Sequence, residues 1–196
     1  MCGRFYIDPD DERELEQLFG QASNRSGSPE DKPVKTGEVF PSDSAAVLCR
    51  SKSGAPGGFP MLWGMAGTGG RGLVINARSE TADQRPMFRE SVLSRRCLVP
   101  ALCYYEWEKR GADKIKYAIH PAGQRFMWLA GLYAKAEGQP PRFVILTRPA
   151  DESVAFIHDR MPVIIPDELR SDWLSPSVPF SGLLSAALGK MESAAV

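Results

Sequence analysis

The sequence predicts an α+β fold, one domain of antiparallel, barrel-like β-sheets flanked by short helices. Three observations carry that prediction. Short apolar runs rich in Val, Ile, Leu, Tyr and Trp recur between residues 45 and 147, with Gly or Pro between most of them. Two pairs of runs are joined by turn-forming links, at 121–123 and 137–141, which predicts two antiparallel hairpins. Helical periodicity is confined to brief stretches, so helices can only flank the sheets.

In chain order, Asp8-Pro9 opens a helix whose Leu15, Leu18 and Phe19 share a face, and Gly20 follows as a stop. Residues 21–38, rich in Ser, Gly, Pro, Asn and charge, read as a mobile loop leading to Phe40-Pro41, where an extended path begins. Strands are predicted at 45–50, 59–63, 73–76, 96–107, 114–120, 125–134 and 142–147, and helices at 86–94, 151–157 and 167–174. The Ser/Ala/Leu-rich tail, 175–196, reads as a short helix with a frayed end.

With 196 residues and 43% hydrophobic composition the chain can bury one substantial core, so 1–196 is read as a single domain that requires no second copy and is expected to be a monomer. No apolar run approaches the ~20 residues of a membrane span, and Met-Cys-Gly-Arg-Phe carries no signal-peptide apolar core. A cytoplasmic protein is expected. The cysteines at 2, 49, 97 and 103 form no C-x-x-C pair and only His120 and His158 could assist, so no metal is expected. Cys49, Cys97 and Cys103 read as small buried thiols.

Formal charge is zero, with 24 basic and 24 acidic residues, so net charge does not point to nucleic acid. The distribution says more. Residues 71–96 hold Arg71, Arg78, Arg85, Arg89, Arg95 and Arg96 against Glu80, Asp83 and Glu90, net +3 without a lysine. Planar guanidinium groups suit bidentate phosphate contacts and stacking on bases, although a mixed-charge surface accounts for the segment equally well.

Cys2 is the most informative residue. Once Met1 is removed, its α-amine and thiol form a 1,2-aminothiol, a pair suited to capturing aldehydes. The amine, with a reference pKa of about 7.7–8, condenses with a carbonyl to an imine. The thiol then adds to the imine carbon and closes a thiazolidine. A capture of this kind needs no metal or organic cofactor.

Four separated motifs accompany it: Met1-Cys2-Gly3-Arg4, Asn76-Ala77-Arg78-Ser79-Glu80, Cys97-Leu98-Val99-Pro100 leading to Tyr105-Glu106-Trp107, and Ile157-His158-Asp159-Arg160-Met161-Pro162. In order and spacing they resemble the SOS-response-associated peptidase (SRAP) family, over nearly the whole chain to Trp173. The resemblance implies a protein of the DNA damage response that covalently captures abasic sites in single-stranded DNA, shields the lesion and loses Met1, in some cases by self-cleavage. It would be nucleoid-associated when bound to damaged DNA. Capture by an amine also promotes β-elimination, so weak abasic-site lyase activity is expected.

The resemblance also orders the site residues. Cys2 is the nucleophile. His158, suited by its ordinary pKa to proton transfer near neutrality, and Glu106, whose side chain alternates with those of Tyr105 and Trp107, handle protons. Taken alone, His158 reads as structural, Glu106 as a surface partner of Lys109 or Arg110, and Asn76 as a strand-ending turn residue. Within the family pattern Asn76 positions the Cys2 backbone or the sugar. Arg4, Arg78 and Arg160, each within two residues of a proposed catalytic group, would hold phosphates. Trp63 and Trp107 are candidates for base stacking, with a core role equally open for each. Pro41 and Met87 carry over as apolar wedges, and Thr147 as a phosphate-contacting hydroxyl.

Three stretches depart from the family: a short glycine-rich run at 64–72, Ala101-Leu102-Cys103-Tyr104 before the glutamate, and a C-terminal segment unlike the family's after Leu174. Two other functions fit the same residues. One is a cysteine hydrolase with an N-terminal nucleophile, for which no oxyanion hole is recognisable. The other is a non-catalytic single-strand-binding module in which Cys2 is incidental.

Overall fold

The computed structural model describes residues 2–11, 13–25, 32–67, 69 and 72–196. Met1, residues 26–31 of the expected loop, Thr68 and Gly70 of the glycine-rich run, and Arg71 therefore lie outside the described residues. The apolar runs form β1 (Phe5–Ile7), β2 (Gly37–Val39), β3 (Ser44–Arg50), β4 (Pro56–Trp63), β5 (Met65–Ala66), β6 (Leu73–Val74), β7 (Asn76–Arg78), β8 (Arg96–Ala101), β9 (Cys103–Arg110), β10 (Asp113–Pro121), β11 (Met127–Ala134), β12 (Arg142–Pro149), β13 (Arg160–Pro162), β14 (Ile164–Ile165) and β15 (Met191–Ala195). The helices are α1 (Arg13–Arg25), α2 (Pro86–Ser94), α3 (Arg170–Leu174) and α4 (Phe180–Ser185).

The pairings close a ring. β12 lies beside β4, β4 beside β3, β3 beside β8, β8 beside β11, and β11 returns to β12. This is the barrel-like element that the short strands predict, and closure leaves these five strands without a free edge. One feature differs from expectation: β12 runs parallel to both β4 and β7, so the sheet is mixed rather than antiparallel throughout. A second sheet, in the order β15-β10-β9-β1-β2, carries the chain's start between β9 and β2.

Of the two expected hairpins, the one across 137–141 forms as β11 and β12. The one across 121–123 does not. β10 pairs with β9 and β15, whereas β11 enters the barrel, so the chain changes sheets at that link. The predicted strand at 96–107 divides instead at Leu102: β8 joins the barrel and β9 turns back at Gly111, whose φ of +63° suits glycine, to pair with β10. The predicted strand at 73–76 likewise splits into β6 and β7.

Helix α1 runs through Gly20 to Arg25, so residues 21–25 are helical, and β2 occupies 37–39. Leu15, Leu18, Phe19 and Ala22 bury one face of α1, and a glycine in an exposed helix position costs only about 1 kcal/mol against alanine. The face lies so close to β4 that a Cβ at Gly58 would run into the Leu18 carbonyl. Helix α2 has its predicted bounds, with Pro86 at its first turn. Residues 151–157 form hydrogen-bonded turns rather than a helix, and 167–174 divides into a 3-10 turn and α3. The tail is not frayed: β15 is an edge strand on β10, and the Val196 N–H bonds the Lys116 carbonyl at 2.9 Å.

The core fills the barrel and the space under β1. Phe5, Trp63 and Phe143 form its aromatic centre, with Trp63 stacked on Phe143 at 6.2 Å and tilted to Phe5 at 5.2 Å. The Trp63 indole N–H donates to the Ile75 carbonyl at 3.0 Å. That bond fixes the backbone immediately before Asn76. Among the described residues no helix is long and apolar enough to cross a membrane.

Candidate functional site

The N-terminal residues are held against β9 by the sheet itself. Phe5 pairs with Tyr104, and the Tyr105 N–H donates to the Arg4 carbonyl at 2.9 Å, which brings residues 2–4 alongside Glu106. Alternation along β9 does what the sequence implies. Tyr104 and Glu106 turn inward and are buried, while Trp107, half-buried, turns the other way. Glu106 is thus a buried carboxylate, not a surface partner of Lys109 or Arg110.

Cys2 is wholly buried. Asn76, at the start of β7, donates its Nδ2–H to the Cys2 carbonyl at 2.8 Å, and the Cys2 thiol points at the Arg4 carbonyl at 3.9 Å. Burial pushes the thiol pKa far up, and the negative charge of Glu106 adds to the shift. The thiol therefore stays protonated near neutral pH and needs a base to react. Asn76 is placed by the parallel pairing of β7 with β12, which sets Asn76 opposite Ile145 and Arg78 opposite Thr147. Its Oδ1 is buried and has no hydrogen-bond partner among the described residues, and the same holds for the Tyr104 hydroxyl. The Tyr104 pKa is raised by burial and then by Cys2 and Glu106, which places its hydroxyl in their company.

His158 ends the 151–157 turns with its side chain 30% exposed. Its Nδ1 lies 3.0 Å from the Arg160 N–H and 2.8 Å from Asp159 Oδ1. An unprotonated Nδ1 accepts from Arg160; a protonated one donates to Asp159.

A groove of about 450 Å³ opens beside Asn76, lined among others by Arg78, Thr81, Arg85, Met87 and Phe88. Arg78 and Arg85 are exposed, and Met87 is half-buried. On the second sheet, Arg4 lies 4.3 Å from the Phe40 ring and 5.1 Å from that of Trp107, with Nη1 donating to Glu38 at 3.1 Å. Lys116 holds the other Glu38 oxygen at 2.7 Å, and it is chiefly this bond that pulls the Glu38 pKa down. Pro41, half-buried, follows Phe40.

Two expected DNA contacts are corrected by burial. Trp63 is 0% exposed inside the aromatic core and offers no face to a base. Thr147 is 1% exposed, and its hydroxyl faces the Ala77 carbonyl at 3.5 Å and an Arg160 Nη2–H at 3.3 Å, not solvent. Arg160 itself grips both oxygens of Glu80 and donates to the Thr147 carbonyl at 2.7 Å, fastening the His158 turn to β12 and to the turn that follows β7. Two residues escaped the sequence reading. Phe40 was visible only as the neighbour of Pro41, and Arg85 only as one member of the arginine-rich run.

Comparison with known proteins is consistent over the full length. The profile of the SOS response associated peptidase (SRAP) family matches residues 1–196. The abasic site processing protein YoqW of Bacillus subtilis is 32% identical over 186 residues, covering 90% of this chain and 81% of that protein. The abasic site processing protein YedK of Escherichia coli is 28% identical, covering 91% and 81%. A phage-related protein of Bordetella bronchiseptica superposes with a TM-score of 0.76 at 26% identity, covering 100% of this chain and 94% of that one. A protein of Bacteroides thetaiotaomicron, also at TM-score 0.76 but 22% identical, shares the fold.

Proposed function

The chain belongs to the SOS response associated peptidase (SRAP) family, and from that premise we propose that it recognises abasic sites in single-stranded DNA and captures them covalently through Cys2 after Met1 is removed. The observation that carries this reading is the placement of Cys2: buried, held through its carbonyl by Asn76, beside Glu106, and next to a groove walled by Arg78, Arg85 and Met87.

The steps follow from the groups present. Removal of residue 1 converts the Cys2 amide nitrogen to a primary amine. His158 assists opening of the deoxyribose hemiacetal by proton transfer at the ring oxygen, exposing the C1′ aldehyde. The amine adds to that carbon, and loss of one water leaves an imine. Glu106 takes the thiol proton, the sulfur attacks the imine carbon, and the proton passes to nitrogen as the thiazolidine closes. One C–N and one C–S bond form for each water lost. Asn76 keeps Cys2 in place throughout. Arg4, Arg78 and Arg85 hold flanking phosphates, Trp107 and Phe40 offer aromatic surface to unstacked bases, and Pro41 and Met87 wedge the strand. Arg160 contributes by fixing the His158 turn. The same imine is the branch point for weak β-elimination, and release of Met1 by the protein's own groups is part of the proposal.

Wild type and Cys2→Ala, each mixed with single-stranded DNA carrying one abasic site, are compared on a denaturing gel. A heat-stable adduct formed by wild type alone supports the assignment. An adduct that persists unchanged in Cys2→Ala refutes it, and salt-sensitive binding indifferent to the aldehyde would favour a non-catalytic binding module instead.

A further inference from the structure

We propose that a hollow at the far end of α2 is a binding site for a phosphate group, separate from the Cys2 groove. It measures about 430 Å³ and is formed where β3 ends, where α2 ends, and where the chain leaves α3. Arg50, Lys52 and Arg96 line it together with Ser51, Ser94, Ser175 and Ser177, and no acidic residue does. Arg96 is the decisive member. It is 5% exposed, and among the described residues no carboxylate pairs with it. One terminal nitrogen donates to the Ser175 and Val178 carbonyls, the latter at 2.9 Å, while the other, Nη1, is buried with no hydrogen-bond partner among the described residues.

This buried guanidinium meets two carbonyl groups and, at 5.7 Å, the face of the Trp173 ring, but no carboxylate, so no full negative charge offsets its own. Arg50 and Lys52, both exposed at the rim, add to the same potential instead of opposing it. Such a field suits an oxyanion bearing more than one charge, and of the linked Ser175 and Ser177 hydroxyls, 2.8 Å apart, one keeps its proton for such a ligand. The carbonyl end of α2, at Ser94, works against an anion, but three full cations outweigh that partial charge. Pro86 of the Cys2 groove and Ser94 of the hollow stand at opposite ends of α2, eight residues or about 12 Å apart along its axis. A phosphate in the hollow therefore does not overlap the groove.

The test titrates the full-length protein with inorganic phosphate while NaCl keeps ionic strength constant, following the thermal midpoint. A saturable rise is expected, absent with chloride alone. Lys52→Glu, at the exposed rim, should weaken the apparent Kd for phosphate at least fivefold, and Arg78→Ala, in the Cys2 groove, should leave it unchanged. Lys52 is chosen because Arg96 also ties down residues 175–178, so its loss would disturb the fold. Deoxyadenosine monophosphate is the second probe. Affinity at least fivefold above that of phosphate assigns the site to a nucleotide's phosphate, and equal affinity assigns it to the phosphate group alone. Absence of a saturable rise, or a rise indifferent to Lys52→Glu, overturns the proposal. Covalent capture of abasic DNA by Lys52→Glu should remain at the wild-type level, so failure of this site and failure of the Cys2 assignment read out separately.

Discussion

Asn76→Ala isolates the contact that holds the nucleophile. The substitution removes the 2.8 Å hydrogen bond from Nδ2 of the half-buried Asn76 to the carbonyl of Cys2, which is wholly buried. Leaving a buried acceptor unsatisfied costs about 1–3 kcal/mol. Because the bond acts on the placement of the attacking residue, that cost falls on the crosslinking step. At 1.4 kcal/mol per factor of ten, the single-turnover rate should drop roughly 5- to 150-fold. Asn76→Asp should be slower still, since a carboxylate oxygen facing the Cys2 carbonyl oxygen replaces a donor by a charged acceptor. The assay follows adduct formation on denaturing gels at saturating protein, with binding to undamaged single-stranded DNA measured separately by fluorescence anisotropy. Both variants should bind like wild type. A crosslinking rate for Asn76→Ala within twofold of wild type would refute the reasoning, and so would a rate loss matched by an equal loss of binding.

Further outcomes follow from the same geometry. Arg4→Ala should weaken single-stranded DNA binding severalfold and reduce the slope of log K against log salt by about 0.7, the loss of one phosphate contact. An unchanged slope would remove Arg4 from the DNA surface. Trp63→Ala should cost about 3–5 kcal/mol of stability and lower the midpoint of thermal unfolding by roughly 6–20 °C for a chain of this size; a stable variant with selectively weakened DNA binding would contradict the core placement. Arg160 lowers the Glu80 pKa to about 2. Because the folded-state value is depressed, the stability gained is present above the ordinary glutamate range and is lost as pH falls from there towards 2. With the Glu80 side chain 43% exposed, solvent screening limits the contribution to about 1 kcal/mol or less. Glu80→Gln should flatten that part of the acid-denaturation curve, and an unaltered curve would argue against the pair.

The parts of this molecule legible in its sequence are those set by short-range pattern. Alternation along 104–107 separates Glu106 from Trp107, and the structure sends them to opposite sides of β9. Pro86 and the run behind it mark the bounds of α2. What escaped depends on pairings distant in sequence. The barrel closes because Phe143 of β12 lies beside Trp63 of β4, a parallel register that no local signal encodes. Pro121-Ala122-Gly123 has the chemistry of a hairpin turn, yet β10 takes β9 and β15 as partners, and the tail expected to fray supplies that second partner. Trp63 and Trp107 carry the same side chain; closure of the core over Trp63 and the open sheet face under Trp107 distinguish them. The family resemblance implied that Asn76 positions the Cys2 backbone or the sugar; the geometry of its contact with Cys2 comes from β1 lying between β9 and β2 and from β7 running parallel to β12.

The central claim is tested most directly by the intact mass of the adduct with an abasic oligonucleotide, recorded with and without borohydride treatment. Thiazolidine capture predicts the mass of the protein lacking Met1 plus that of the DNA, less one water, unchanged by borohydride because the imine has closed. A product that gains two hydrogens on reduction would show that the thiol does not complete the ring, and an adduct that retains Met1 would contradict capture through the α-amine of Cys2.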